Sequence, residues 1–261
     1  MNILSESNLK IKNGIPYLEI NELSKLRWVK HAFLTRRGGI SPHPYDSLNL
    51  SKENGDRIEN ILINKKLIAD TFNFNPERLI LLKQIHKDKV LVIENVSDLK
   101  RPVLEYDAII TNLHNIFCGI LTADCIPIFI VDQKKKIIAS IHTGWQGTAL
   151  KITKKVLVEV KHRFNSSPED IIAVLGPSIG VCCYEVDEKI LNNDLISFLR
   201  KENHRWFLDL SKANIVQLEE EGIHHDQIYL INLCTHCYSN LFFSYRRERV
   251  TGRQLSFIGI V

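Results

Sequence analysis

One cysteine and two histidines stand at the ends of short apolar runs, and their types and positions could bind a metal. Cys125 directly precedes one run, His142 follows a second and His86 follows a third. A thiolate and two imidazoles are ligands that zinc and copper prefer, and three protein ligands leave one position of a tetrahedral ion open to water or substrate. The pattern therefore predicts a catalytic metal site rather than a structural one.

Short strands and helices alternate along the chain and must position these side chains. The predicted strands are residues 79–82, 90–93, 108–111, 118–121, 126–131, 137–141 and 171–175, and the segment 242–261 is again strand-like. The predicted helices are residues 58–72, 148–164, 187–199 and 211–221. Several strands are apolar throughout, which is typical of strands covered on both faces by helices or by a second sheet.

Two glycine-containing turns adjoin the candidate ligands. Residues 142–147 are predicted to form a strand-to-helix turn, with the helix starting near Gly147 or Thr148, and glycine lets the backbone of such a turn approach a ligand closely. A second glycine-rich turn, residues 176–180, follows another predicted strand. The three lysines at 134–136 lie between two predicted strands, so we interpret them as the solvated tip of a hairpin.

The composition is that of a globular protein of ordinary charge. The 261 residues are 44% hydrophobic and 25% charged, and no segment resembles a linker, so we expect a single domain, residues 1–261. The 34 basic and 30 acidic residues give a net charge of +4, which argues against nucleic acid as a partner. No segment reaches the ~20 apolar residues of a membrane span and none reads as a signal peptide, so a cytoplasmic location is predicted. The sequence leaves a homodimer open.

The chain resembles a known family over nearly its entire length. The matching segments are residues 31–41, 45–51, 55–56, 84–86, 107–108, 122–127 (Thr-Ala-Asp-Cys-Ile-Pro), the turn at His142, 176–186, 242–247 and 251–253. These segments resemble proteins of the YfiH and YlmD type, described variously as laccase-domain proteins, multicopper polyphenol oxidase-like proteins or purine nucleoside phosphorylases. So many matches in the same order are not expected by chance.

This resemblance implies a fold, a cofactor and a reaction. The fold would be a YfiH-like α/β fold, a layered sandwich of mixed β-sheets flanked by helices. His86, Cys125 and His142 would bind a catalytic zinc ion, with copper as the alternative. Family members resemble phosphorylases of adenosine, inosine and methylthioadenosine that also deaminate adenosine, so purine nucleosides and phosphate are the implied substrates. Zinc would lower the pKa of a bound water to ~7 and provide hydroxide for attack on C6 of adenosine.

Charged and amide side chains in the same motifs are candidates for the remaining chemistry. Asp124 adjoins a predicted ligand, and we interpret it as a catalytic acid or base, with the orientation of an imidazole N–H as the alternative. Guanidinium groups match the geometry of phosphate in a bidentate manner. The predicted substrate-binding residues are Arg36, Arg37, Asn49, Arg246 and Arg247. Pairing of these arginines with carboxylates such as Asp46 or Glu248, and a turn-capping role for the asparagine, are the alternatives.

The turn after His142 departs from the family pattern. Where the family usually has alanine and arginine, this chain has Thr143 and Gln146. The arginine would have carried a fixed positive charge, so we expect phosphate affinity or substrate choice to differ here.

The six cysteines are too few for a disulfide scaffold in a chain of this length. We interpret Cys182 and Cys183 as packed residues lining the site, with a nucleophilic role as the alternative. Cys234 and Cys237 resemble half of a zinc knuckle or a redox pair, but no matching second pair is evident, so a second metal or a disulfide is the weaker interpretation.

Three other functions remain open on sequence alone. A copper oxidase of phenols would keep the ligands and change the metal, but blue-copper oxidation needs several coppers bound by many histidines, and only three ligands stand in motif context. An amidase that edits peptidoglycan precursors is compatible with a zinc hydroxide attacking an amide. A non-enzymatic scaffold predicts that replacing Cys125 would unfold the protein instead of inactivating it.

Overall fold

The computed structural model describes residues 1–100, 105–187, 190 and 194–261. The strands are β1 (Asn2–Leu4), β2 (Lys10–Lys12), β3 (Ile15–Leu18), β4 (Val29–Leu34), β5 (Leu79–Leu81), β6 (Val90–Ile93), β7 (Ala108–Thr111), β8 (Ile116–Thr122), β9 (Ile126–Asp132), β10 (Ile137–Thr143), β11 (Ile171–Leu175), β12 (Glu185–Val186), β13 (Leu199–Glu202), β14 (Arg205–Leu208), β15 (Ile228–Ile231) and β16 (Gln254–Ile260). The helices are α1 (Asn21–Lys25), α2 (Ile58–Phe72), α3 (Trp145–Ala149), α4 (Ile152–Phe164), α5 (Leu210–Glu220) and α6 (Tyr245–Glu248).

Two large mixed sheets form the centre of the molecule. The seven-stranded sheet has the order β1-β15-β11-β9-β10-β7-β6, and the six-stranded sheet has the order β2-β3-β4-β16-β8-β5. In the second sheet β8 pairs antiparallel with β16 on one side and parallel with β5 on the other. A small third sheet contains β12, β14 and β13.

The seven-stranded sheet is covered on both faces, which explains its continuous apolar strands. Along β9, Ile128 and Ile130 belong to a core shared with α4 and α5, while Phe129 and Val131 belong to a core shared with the six-stranded sheet. Successive side chains of a strand point to opposite faces, so a strand between two layers must be apolar at every position. The ring of Phe129 stacks on Phe33 of β4, with 4.4 Å between centroids, and joins the two sheets.

Helix α2 covers the other face of the six-stranded sheet. Phe72 at its end packs edge-on against Tyr17 of β3 and against Phe257 of β16, both with centroids 5.1 Å away. The helix ends at Phe72, and the following residue, Asn73, closes it as a C-cap with a left-handed φ of 55°. The order helices, sheet, sheet, helix confirms the predicted layered α/β sandwich.

Most of the predicted elements are present. The predicted bounds hold for strands 90–93, 108–111 and 171–175 and for helix 58–72, and strands 79–82, 118–121, 126–131 and 137–141 and helix 211–221 shift by at most two residues at an end. The lysines at 134–136 lie in the turn that joins β9 to β10, which confirms the hairpin.

Three element predictions were wrong in part. The helix predicted over 148–164 begins earlier, at Trp145, and is divided into α3 and α4 because Lys151 has a left-handed φ of 59° that an α-helix cannot continue through. The helix predicted over 187–199 lies partly outside the described residues, and its described end is a 3-10 turn, Ile196–Phe198, followed by β13, where pairing with β14 outweighs the helical pattern. In the segment 242–261 only Gln254–Ile260 is a strand.

Candidate metal centre and its cavity

The three predicted ligands converge because of the way the strands end. β5 and β8 are parallel, so their carboxyl ends lie at the same edge, and His86 follows the first while Cys125 follows the second. The turn that holds Cys125 then leads into β9 of the other sheet, whose antiparallel partner β10 places His142 opposite Pro127 near the start of β9. The three side chains therefore meet where the two sheets are connected.

The donor atoms are close enough to share one ion. One ligand atom each of His86, Cys125 and His142 lies within 4.8 Å of the others. The two imidazole rings are perpendicular, with an interplanar angle of 82° and 4.7 Å between centroids. His142 is only 3% exposed, Cys125 is half-buried and His86 is exposed, so solvent reaches the group from the His86 side.

A carboxylate that the sequence reading did not assign holds two of these ligands in place. An oxygen of Asp107 lies 2.8 Å from Nδ1 of His142, and the same carboxylate accepts hydrogen bonds from the backbone N–H groups of His86 and Lys87. Burial opposes ionisation of Asp107, but these contacts outweigh it and lower the pKa of its carboxyl. With Nδ1 of His142 donating to Asp107, Nε2 is left for a metal.

The electrostatics of the group favour the thiolate form of its cysteine. Burial alone would raise the pKa of Cys125, but the charge and hydrogen bonds of His142 and His86 outweigh burial and lower that pKa to about 6. Burial alone would lower the pKa of His142, but Cys125 and Asp107 together raise it to about 9. Thiolate is the form of cysteine that binds metal, and a metal ion can replace the proton shared by such a pair.

Gly144 lies so close to the ligands that a side chain at this position would collide with one of them. A Cβ added at Gly144 would lie 2.9 Å from Sγ of Cys125 and 3.6 Å from Nδ1 of His86. The soft donor set, the short distances between its atoms and this space free of side chain all fit a bound zinc or copper ion.

A cavity of about 1020 Å³ opens beside the three ligands. This volume is at the upper end of the range for small-molecule sites. The aromatic and arginine residues that line it are Trp145, Tyr184, Tyr245, Arg246, Arg249 and Arg253. Apolar residues of α2 and β5 form part of the remaining wall.

Two of the aromatic rings organise the arginines of the cavity. The guanidinium of Arg246 lies 5.2 Å from the ring centroid of Tyr184 and donates a hydrogen bond of 2.7 Å to the carbonyl of Glu185. The guanidinium groups of Arg249 and Arg253 lie 5.6 Å and 5.9 Å from the ring centroid of Tyr245. Three arginines therefore line the same cavity.

Asp124 lies at the cavity but is held by the protein. One of its carboxylate oxygens accepts a hydrogen bond from Oγ1 of Thr235 and the other accepts one from the backbone N–H of Arg246, both at 2.7 Å. Its φ of 104° is in the left-handed region, and these two bonds fix that turn just before Cys125. This arrangement favours a positioning role over proton transfer.

Arg36 and Arg37 do not line the cavity. The guanidinium of Arg36 donates to the carbonyl of Ser239 and to the backbone and side chain of Asp46, and it pairs with Glu248 at 2.8 Å. Arg36 is only 9% exposed, and these contacts link its segment of chain to those of Asp46, Ser239 and Glu248. Arg37 is exposed on the surface. The geometry supports the carboxylate-pairing alternative for Arg36.

Arg247 and Asn49 are also placed outside the cavity lining. Arg247 donates to the carbonyl oxygens of Thr235, His236 and Phe242 and thereby braces a loop. The side-chain oxygen of Asn49 accepts from the N–H of Arg253, and its amide donates to Asp56. Of the five predicted substrate-binding residues, the structure brings Arg246 alone to the cavity.

The two departures from the family pattern have different surroundings. Gln146 lines the cavity, so a substrate there would meet a neutral amide and not the fixed positive charge of an arginine. Thr143 is fully buried, and its hydroxyl shares a hydrogen bond with Thr148 across the turn into α3. A change in substrate choice would therefore arise at Gln146.

The sequence reading missed Asp107, Tyr184, Tyr245, Arg249 and Arg253 as site residues. Asp107, Tyr184, Tyr245 and Arg253 all lie in or beside the segments that carry the resemblance, which was a usable signal. Arg249 had none, since it lies between two of those segments, and it reaches the cavity from the position that follows α6.

In the part of the chain that the structure describes, no helix has both the length and the apolar character needed to cross a bilayer; the longest, α2, has 15 residues.

Fold and site together define an α/β protein with a His-Cys-His group that could bind a metal beside a cavity. A family model described as multi-copper polyphenol oxidoreductase laccase matches residues 30–261. The chain belongs to this family.

Relatives over almost the whole chain support the same assignment. The purine nucleoside phosphorylase YlmD of Bacillus subtilis is 33% identical over 245 residues, which is 87% of this chain and 87% of the relative. A purine nucleoside phosphorylase of Bacteroides thetaiotaomicron is 33% identical over 258 residues, 93% of this chain and 96% of the relative. The crystal structure of YlmD from Geobacillus stearothermophilus matches with a TM-score of 0.89 and 29% identity, covering 97% of this chain and 98% of that one. The YfiH-like fold is confirmed.

Proposed function

We propose that this protein is a zinc-dependent purine nucleoside phosphorylase that also deaminates adenosine. The observation that carries the proposal is the cavity, in which the His86, Cys125 and His142 group faces the same space as aromatic rings and three arginines. Aromatic rings bind the faces of purine bases and guanidinium groups bind phosphate. The names of the relatives support the same reaction.

Phosphorolysis breaks the bond between C1′ of the ribose and the purine nitrogen. An oxygen of phosphate forms the new bond to C1′, and the base leaves with the electron pair of the broken bond and takes up a proton. Arg246, Arg249 and Arg253 supply the positive charge that holds the phosphate in place. Trp145 and Tyr245 supply ring faces for the base.

Zinc, when bound, supplies a Lewis acid beside the substrate. His142 would present Nε2 to the metal because Asp107 holds Nδ1, and the lowered pKa of Cys125 favours its thiolate form. His86 borders the open side of the group, from which substrate would enter. These three residues therefore also provide the centre at which adenosine would lose its amino group to water.

The donor inventory supports zinc over a set of coppers. Among the residues that the structure describes, two groups of at least three metal donors occur, and only one of them contains histidine. Oxidation of phenols by several coppers calls for many more imidazoles than the two found here.

The direct test supplies purified zinc-loaded protein with inosine and phosphate and measures release of hypoxanthine. We expect phosphate-dependent release that is lost in His86→Ala. Arg253→Ala is expected to lower kcat/KM by about 10- to 100-fold, the equivalent of one charge-assisted hydrogen bond. Arg27→Ala, a matched exposed arginine before β4, should be unchanged. Ammonia released from adenosine without phosphate tests the deaminase activity.

Base release no greater than that of the His86→Ala control would refute the phosphorylase. Oxygen uptake on phenols by copper-loaded protein would instead identify the oxidase, and cleavage of a muropeptide precursor in a parallel assay would identify the editing amidase.

A further inference from the structure

Four cysteines form a second group of metal donors. The sulfur atoms of Cys182, Cys183, Cys234 and Cys237 all lie within 4.8 Å of one another. Sγ of Cys237 lies 3.4 Å from Sγ of Cys183 and 3.8 Å from Sγ of Cys182. A disulfide has a sulfur–sulfur distance of about 2.05 Å, so these are free thiols.

The 3.4 Å and 3.8 Å sulfur–sulfur distances, with all four sulfurs within 4.8 Å of one another, are close to the spacing around one tetrahedral ion. Zinc bound to four thiolates at about 2.3 Å holds its sulfurs roughly 3.8 Å apart. Four protein ligands close the coordination shell, which is the arrangement of structural zinc sites rather than catalytic ones. We propose that Cys182, Cys183, Cys234 and Cys237 bind a structural zinc ion.

Backbone contacts already hold the two cysteine segments together. The N–H of Thr235 donates to the carbonyl of Ser178 at 3.0 Å, and the N–H of Gly180 donates to Sγ of Cys234 at 3.2 Å. A Cβ at Gly180 would lie 3.2 Å from Sγ of Cys182 and 3.3 Å from Cβ of Cys234. Glycine at this position therefore permits the close approach that four sulfurs around one ion require.

The ion would brace one wall of the cavity. Tyr184, which lines the cavity, directly follows Cys183. Thr235, between the other two cysteines, donates to Asp124 of the turn that holds Cys125. An ion that joins the two segments therefore fixes both a cavity wall and the turn beside the first metal group. Cys182 and Cys237 are exposed, so the ion can enter from solvent without passing through the cavity.

The test uses the His86→Ala protein, in which the first metal group is incomplete. After zinc loading and dialysis, elemental analysis should find one zinc ion per chain, and none once Cys182→Ser and Cys237→Ser are added. Loading the His86→Ala protein with cobalt should produce thiolate-to-cobalt charge-transfer absorption and the visible bands of a tetrahedral ion. Cys118→Ala, a buried thiol outside the cluster, should leave that spectrum unchanged.

These readouts do not depend on activity, so they stand apart from the proposed function. If the serine variants fail to fold, the cobalt spectrum of the His86→Ala protein alone decides. His86→Ala protein that holds no zinc or cobalt, or that yields disulfides among the four cysteines in a thiol titration, would overturn the proposal. Iron instead of zinc in freshly purified protein would overturn the assignment of the ion.

Discussion

At the scale of single residues, one carboxylate arranges most of the metal group. Asp107 binds the imidazole of His142 and the backbone of His86 with its side chain, and its carbonyl accepts a 2.7 Å hydrogen bond from the N–H of His142. The left-handed φ of 56° at His86 is a conformation that costs free energy, and the two N–H bonds to Asp107 offset that cost. Asp107 therefore holds both histidines of the group in position.

Asp107→Asn tests this arrangement. We expect zinc affinity to fall by about 10- to 100-fold, because an amide has no negative charge to hold the proton on Nδ1 of His142. Competition with a coloured chelator measures the affinity. Asp98→Asn is the control, since the Asp98 carboxylate accepts hydrogen bonds from the backbone N–H groups of residues 94 and 95 and is not in contact with the metal group among the described residues. Equal affinities for both variants would show that Asp107 does not position the ligands.

At the scale of elements, a buried histidine joins helix α1 to strand β4. Nε2 of His31 accepts a 2.9 Å hydrogen bond from the N–H of Ile20, the residue before α1. Burial, aided by the charge of Lys10, lowers the pKa of His31 from 6.5 to about 3. Protonation would place a charge in the core and destroy the acceptor, so this junction depends on neutral imidazole.

Stability should therefore fall in acid. The folded pKa lies below the unfolded one, so the stabilisation is fully present above pH 6.5 and is lost as the pH falls through the folded value near 3. His31 contributes at most about 1.4 kcal/mol per pH unit to the change of the unfolding free energy with pH. Urea unfolding at several pH values measures it.

His31→Gln removes the titrating group and keeps an acceptor, so its stability should depend less on pH than that of the wild type. His162→Gln, at an exposed position of α4, should retain the wild-type slope. If the unfolding free energy changes with pH equally in the wild type and in both variants, His31 is not the source of the pH dependence.

At the scale of the whole molecule, the two large sheets share one core. Phe33 and Phe129 stack across it, and Cys118, Ile138 and Ile258 belong to the same buried cluster. The sheets are also linked by the chain, which leaves one at the end of β8 and enters the other at β9. This shared core supports the expected single domain, which stays a prediction, as do the cytoplasmic location and the homodimer.

Phe129→Ala should weaken the entire molecule. We expect a loss of about 3–5 kcal/mol of unfolding free energy, as for other buried phenylalanines. Circular dichroism and tryptophan fluorescence should report one coincident transition. Ile11→Ala, at a side chain that is 72% exposed, should change stability by less than about 0.5 kcal/mol. Two separate transitions would contradict a single domain.

Local pattern was sufficient for strands β5 to β11, for helices α2 and α5 and for the choice of candidate metal donors, whereas strands β1 to β4 and β12 to β15 were not predicted. Apolar runs predict buried strands because both faces of those strands are covered, and soft donors at strand ends stand out by type alone. The helix predictions were wrong at Lys151, where one left-handed residue divides a helix, and at β13, where pairing with β14 outweighs the helical periodicity of the sequence.

The sequence by itself indicated strands covered on both faces and three soft donors, because apolar spacing and residue type are local properties, and its resemblance to a known family implied the layered fold. Only the tertiary structure decided where the side chains of the arginines and the cysteines lie. Arg36 and Arg253 both stand near glycines in similar motifs, yet packing buries the first in ion pairs and turns the second toward the cavity. Cys182 and Cys237 are distant in the chain and adjacent in space. Their meeting depends on the path of the chain between β11 and β15, which no local spacing encodes.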